Sequence, residues 1–113
     1  MSMKVELFYI ADCPNYETAR QFLTEALRGL GLSGKVSEIE VRDCEQAEAL
    51  MFPGSPTIRV DGKDVELTLL EQDHYGLSCR IYLVDQQRQG FPSREMIRDA
   101  IRSSISADAK RSE

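Results

Sequence analysis

Val5, Leu7 and Tyr9 alternate with Lys4 and Glu6, and Phe8 and Ile10 then make the end of the run apolar on both faces. That is the pattern of a strand buried deep in a sheet. After Asp12-Cys13-Pro14 the period changes, and Ala19, Phe22, Leu23, Ala26, Leu27 and Leu30 fall on one stripe of an amphipathic helix. Pro14 fits the first helical position, where a missing N–H costs nothing, and Gly29, Gly31 and Gly34 supply the backbone freedom that ends the helix. A second strand over Val36–Arg42 sends Ile39 and Val41 one way and Glu38, Glu40 and Arg42 the other. Asp43 is placed to cap a short helix, Cys44–Met51, with Ala47, Leu50 and Met51 facing inward. Strand, helix and strand make a βαβ unit with two parallel neighbours, which puts Asp12-Cys13 and Asp43-Cys44 on one edge of the sheet.

Two prolines, Pro53 and Pro56, forbid helix in the next segment, and Ile58 and Val60 begin a third strand closed by the tight-turn pair Asp61-Gly62. Residues 63–78 read as an inserted loop, in which Val65, Leu67 and Leu69 suit an edge strand returning from the turn. Cys79–Val84 is the fourth main strand, ended by the polar run Asp85–Gly90. Pro92-Ser93 then caps a last helix with Met96, Ile97, Ala100, Ile101 and Ile105 on its stripe. The expected organisation is one domain over 1–105 and a disordered tail over 106–113. There is no internal repeat and no low-complexity segment.

The composition changes this picture only in what it excludes. With 113 residues, 42% of them hydrophobic, one domain of this size buries about two thirds of its unfolded surface, and neither disulfide nor metal is needed to fold it. Cys13, Cys44 and Cys79 are therefore free for chemistry, and an odd number of them argues against a disulfide framework. The formal net charge of -5 repels a phosphate backbone, so nucleic acid is not an expected partner. No apolar run approaches the roughly 20 residues that span a bilayer, and Glu6 interrupts what would have to be the apolar part of a secretory signal. A cytoplasmic protein without membrane attachment is expected.

The β-α-β-α-β-β-α order, with Cys13-Pro14-Asn15-Tyr16 at the first strand-to-helix junction and Gly54-Ser55-Pro56-Thr57 just before the third strand, resembles the thioredoxin-like superfamily over nearly the whole chain. The resemblance implies an α/β fold with a central four-stranded mixed sheet flanked by helices, a cis Pro56 lying against Cys13, and thiol–disulfide exchange. In that superfamily the backbone around Ser55, Pro56 and Thr57 pairs with a bound peptide or glutathione in extended conformation, which provides affinity with little sequence specificity. The departure is at Tyr16, which stands where a dithiol motif keeps its second cysteine, so no disulfide closes within the motif. A small thiol such as glutathione, a remote cysteine, or no turnover at all are the routes left.

The chemistry of Cys13 also follows from its position alone. A thiol at a helix N-terminus faces unsatisfied N–H groups and the positive end of the helix dipole, both of which favour the thiolate, while Asp12 and Asp43 oppose it. Tyr16 is placed to donate its hydroxyl to the Cys13 sulfur one turn away, or simply to cover the start of the helix. Cys44 is the better remote resolving partner because it shares the edge with Cys13. Cys79, at the start of a strand expected to begin at the opposite edge, is the poorer one.

His74 lies in the inserted loop without local metal-ligand spacing and reads as exposed. No phosphate loop, zinc-protease helix or nucleophile elbow is present. The leading expectation is a single-cysteine exchange protein acting on a thiol or disulfide substrate, protein or small molecule, with glutathione as the one co-substrate it would use and no bound cofactor. A noncatalytic module binding a partner through the Cys13 and Pro56 surface is one alternative. Another is a thiolate site for metal or organomercurial ions, since soft ligands bind such ions strongly. For that last case, Cys-Pro, Gly-Ser-Pro-Thr and the later Cys79-Arg80 also resemble short proteins grouped with alkylmercury lyases, from which no activity is carried over.

Overall fold

The alternation in the first strand has a direct structural consequence. In a computed structural model, which describes residues 3–32, 36–66 and 76–111, strand β1 (Val5–Tyr9) buries Val5 and Leu7 on one face of the sheet and Phe8 on the other. Helix α1 (Tyr16–Gly29) covers the first face with Ala19, Leu23, Ala26 and Leu27. Helix α2 (Cys44–Ala49) lies on the second face, where Ala47 and Phe52 pack with Phe8 and Val41. The chain is thus α/β, with β1 in the middle of a four-stranded mixed sheet and helices on both sides.

The sheet order is β2-β1-β3-β4. Strand β2 (Val36–Glu40) runs parallel to β1, whereas β3 (Thr57–Val60) runs antiparallel to it with Phe8 opposite Thr57. Continuing that register places Ile10 against Ser55, and the Ile10 amide indeed donates to Ser55 Oγ at 3.1 Å. Asp61-Gly62 makes the expected two-residue turn into β4 (Lys63–Asp64), both residues having positive φ.

Helix ends follow local chemistry. Gly31, with φ 72°, and Leu32 return their amides to Arg28 O and Leu27 O, closing α1 with the paired bonds of a Schellman motif. Asp43 caps α2 by accepting from the Gln46 amide at 2.7 Å. At the other end of α2, Arg59 donates to the carbonyls of Leu50 and Met51, as suits a cation at a helix C-terminus.

Four sequence expectations are corrected. Met51 does not face inward; it takes positive φ and is 61% exposed, while Phe52 fills the space beneath the sheet. The fourth strand of the sheet is β4, not Cys79–Val84. Only Tyr82–Val84 (β5) is strand there, and it pairs with Gln87–Gln89 (β6) in a separate hairpin turned by Asp85 and Gln86. Both turn residues have positive φ, so the turn carries no glycine to announce it. Pro14 is not helical, because the chain makes a turn there before α1 begins at Tyr16 with Asn15 as its cap. The last helix, α3 (Arg94–Arg111), continues beyond Ser106 in place of the expected tail, each added residue closing one more backbone bond. Leu67, Leu69, His74 and Gly34 lie outside the described residues.

Helix α3 packs Ile97, Ala100 and Ile101 beside α1, and Tyr82 enters the same core from the hairpin. Burying each such large side chain is worth about 1.5–3 kcal/mol relative to leaving it exposed. Among the described residues no helix is long and apolar enough to cross a membrane.

Candidate thiol site at the end of the central strand

Parallel and antiparallel pairing bring three sequence-distant segments to the C-terminal end of β1. Cys13 follows β1 after a turn in which Asp12 takes φ 60°, and its carbonyl accepts from the Tyr16 amide at 3.4 Å. Cys44 opens α2 just past β2, and the parallel register of β1 and β2 sets it at that same end. Ser55 and Pro56 enter β3 there, with the Ser55–Pro56 bond cis. The thiol of Cys13 is half-buried, while Cys44 and Cys79 are exposed.

Tyr82 anchors Pro56. Its hydroxyl donates to Pro56 O at 2.5 Å, and burial pushes its ionisation well above the usual tyrosine range. The neighbouring Arg80 has its charged group over the Tyr82 ring, 4.3 Å from the centroid.

Arg80 is the centre of a buried polar cluster that the sequence reading missed. Its side chain is 3% exposed, donates to Asp64 at 2.7 and 2.8 Å and to Thr57 Oγ1 at 3.1 Å, and lies 3.6 Å from Glu66. Burial works against its charge, but the bond to Asp64 and the nearby Tyr82, Asp64 and Glu66 outweigh it and hold Arg80 protonated. Its Nε, also buried, has no acceptor among the described residues. The available signal was a charge inside an otherwise apolar run, Cys79–Val84: a buried cation demands a carboxylate nearby.

Ser55, Pro56 and Thr57 are not the open edge that extended pairing with a ligand needs. All three are buried. The Ser55 amide donates to Ser78 O at 2.8 Å, and Ser55 O accepts from the Arg80 amide at 2.9 Å, so Cys79 stands opposite Ser55 as in a parallel bridge. Thr57 Oγ1 donates to Gly54 O at 2.6 Å. The chain's own Ser78–Arg80 segment fills the edge, and it brings Cys79 to the end of the sheet from which its strand register was expected to exclude it. Gly54 makes room: with φ 146°, it has no Cβ where one would come within 2.9 Å of Arg80 Cβ.

Tyr16 opens α1 and does not donate to Cys13. Its ring packs on Tyr9 at 4.5 Å between centroids, and its hydroxyl donates to Glu38 on β2 instead of to Cys13. That bond, with some desolvation and the Glu38 charge, pushes Tyr16 up to about 12. Because the folded value lies above the unfolded one, the contribution to stability is complete below about pH 10 and is lost as pH rises through about 12. Glu38→Ala is expected to return the Tyr16 step toward its ordinary value in a spectrophotometric phenolate titration, with Tyr16→Phe identifying that step. An unchanged step in Glu38→Ala refutes the assignment.

A cleft of about 540 Å³ lies elsewhere, between the hairpin and the start of α3, lined by Phe22, Leu83, Phe91, Arg94, Met96 and Asp99 among others. None of the cysteines lines it. Among the described residues no group of three or more His, Cys, Asp or Glu is arranged to hold a metal ion. No known protein family matches the chain, and neither a curated protein nor a solved structure does so.

Proposed function

We propose that this is a small thioredoxin-like protein that carries out thiol–disulfide exchange with Cys13 as its nucleophile. The observation that supports the reading most is the placement of a half-buried thiol between the end of β1 and α1, at the end of the sheet where a cis proline enters β3. In the exchange, the Cys13 thiolate attacks one sulfur of a disulfide R–S–S–R′. A Cys13–S–S–R bond forms, the original S–S bond breaks, and R′–S⁻ leaves and takes a proton from solvent. A second thiol must then attack the mixed disulfide, because position 16 is tyrosine. Free thiols of this kind belong to a reducing compartment, and the cytoplasm is the setting this reading assigns.

The substrate implied is a small disulfide or an accessible protein disulfide, with glutathione as the natural small thiol. A strand-like ligand at Ser55 would first have to displace Ser78–Arg80, which disfavours the binding-module alternative. Reactivity provides the test. Cys13 is expected to react with iodoacetamide at neutral pH faster than Cys44 and Cys79, although both of these are more exposed. Peptide mapping after brief labelling measures the three rates, and a Cys13 rate equal to or below the other two overturns the proposal.

A further inference from the structure

The two faces of the sheet separate the thiols that share its edge. Cys13 leads into α1, which packs on the face that also receives Tyr82 and α3. Cys44 leads into α2, which packs on the opposite face with Phe8 and Phe52. The helices that follow the two cysteines therefore lie on opposite faces of the sheet, and the matching register alone does not bring Cys44 to Cys13.

Cys79 belongs to the Cys13 end of the sheet. The bonds from Ser55 to Ser78 and Arg80 hold its backbone opposite Ser55, one residue before Pro56. Cys13 approaches the same point from β1, since Ile10, three residues before it, donates its amide to Ser55 Oγ. The Cys79 side chain is exposed, yet its backbone is pinned, because Arg80 is locked into Asp64 and Thr57. A thiol held at a fixed place and left accessible is what a second exchange step requires, since rate depends on access and on which sulfur is within reach.

We infer that Cys79 is the resolving thiol and that Cys13 and Cys79 close an intramolecular disulfide. The inference rests on Cys13 being the exchange nucleophile. In the step, Cys79 loses its proton to solvent and its thiolate attacks the Cys13 sulfur of Cys13–S–S–R. The Cys13–Cys79 bond forms, the bond to R breaks, and R–S⁻ is released and protonated. The substrate disulfide has then gained two electrons, the protein dithiol has lost two, and a dithiol reductant restores it. Closure requires the two Cα atoms to come within about 7 Å.

The reduced full-length chain is treated with oxidised glutathione, quenched with acid, blocked with N-ethylmaleimide and mapped by mass spectrometry. Wild type and Cys44→Ser are expected to show a Cys13–Cys79 linkage with little bound glutathione. Cys79→Ser is expected to hold glutathione on Cys13 at roughly ten times the wild-type level or more, since a tethered thiol acts at an effective concentration in the millimolar range. A Cys13–Cys44 linkage, or a Cys13 glutathione adduct that persists in wild type, overturns the role of Cys79 and leaves the exchange reading standing. Absence of any adduct on Cys13 in Cys79→Ser overturns the exchange reading itself, and the inference with it.

Discussion

Asp64→Ala is expected to destabilise the fold by about 3–5 kcal/mol, the usual cost of removing one partner of a buried ion pair. Arg80 is nearly sealed from water, and Asp64 accepts two of its hydrogen bonds, at 2.7 and 2.8 Å. Among the described residues the guanidinium without that carboxylate keeps only Thr57 Oγ1 and the longer contact to Glu66, and its Nε has no acceptor even in the native chain. The loss exceeds that of an exposed pair such as Arg20 with Glu17, where median values are about 0–1 kcal/mol. Urea unfolding reads it as a fall in the midpoint at unchanged slope. A fall equivalent to less than about 1 kcal/mol would mean that water reaches the cluster and that Arg80 is not a buried anchor.

The second large effect is expected at Gly54. Its φ of 146° is a conformation that side chains rarely adopt, and strain of that kind costs on the order of 1–3 kcal/mol. An added Cβ would also meet Arg80 Cβ at 2.9 Å and the Arg80 Cα and amide nitrogen at 3.1 Å. Those atoms are backbone and its first carbon, so they cannot turn aside as the end of a flexible chain would. Gly54→Ala should therefore lift Ser78–Arg80 off Ser55, with a stability loss above the strain alone. Hydrogen exchange reports it locally: the Arg80 amide, bonded to Ser55 O in the native chain, should lose protection by more than the global loss accounts for. Unchanged stability and protection at Arg80 would show that the close approach is not required.

The first half of the chain was legible because its elements are long or strongly patterned. The stripe from Ala19 to Leu30 specifies α1, the alternation in Val5–Tyr9 specifies a buried strand, and Asp43 and Asp61-Gly62 mark a cap and a turn by their own chemistry. The second half was not, for two physical reasons. Its strands are two or three residues long, too short to establish a period, and the hairpin turns on Asp85-Gln86 without glycine. More consequentially, the apolar run around β5 is inverted: Arg80 and Tyr82 point inward, while Ile81 and Leu83 point out. Tertiary partners, Asp64 foremost with Thr57 and Glu66, stabilise that arrangement, and no local pattern announces it.

The candidate site divides the same way. The βαβ unit sets Cys13 and Cys44 at one sheet end, and the parallel register of β1 and β2 agrees. Pro56 stood there only as the resemblance implied, and it is the antiparallel return of β3 that brings it to that end. Cys79 was misplaced because its position depends on a pairing with Ser55 rather than on membership of the sheet. The hydroxyl of Tyr16 was misassigned because Glu38 reaches it from a strand remote in sequence.

The hairpin leaves Ile81 and Leu83 bare, 63% and 60% exposed, on a ribbon of only two strands. Such a ribbon ordinarily invites another chain to extend it. Here Leu83 stands directly across from Arg88, with Gln87 and Gln89 on either side of that cation. A stacked copy would set Arg88 near Arg88, and like charges placed so oppose the addition of a further strand, whereas the leucine itself is left uncovered.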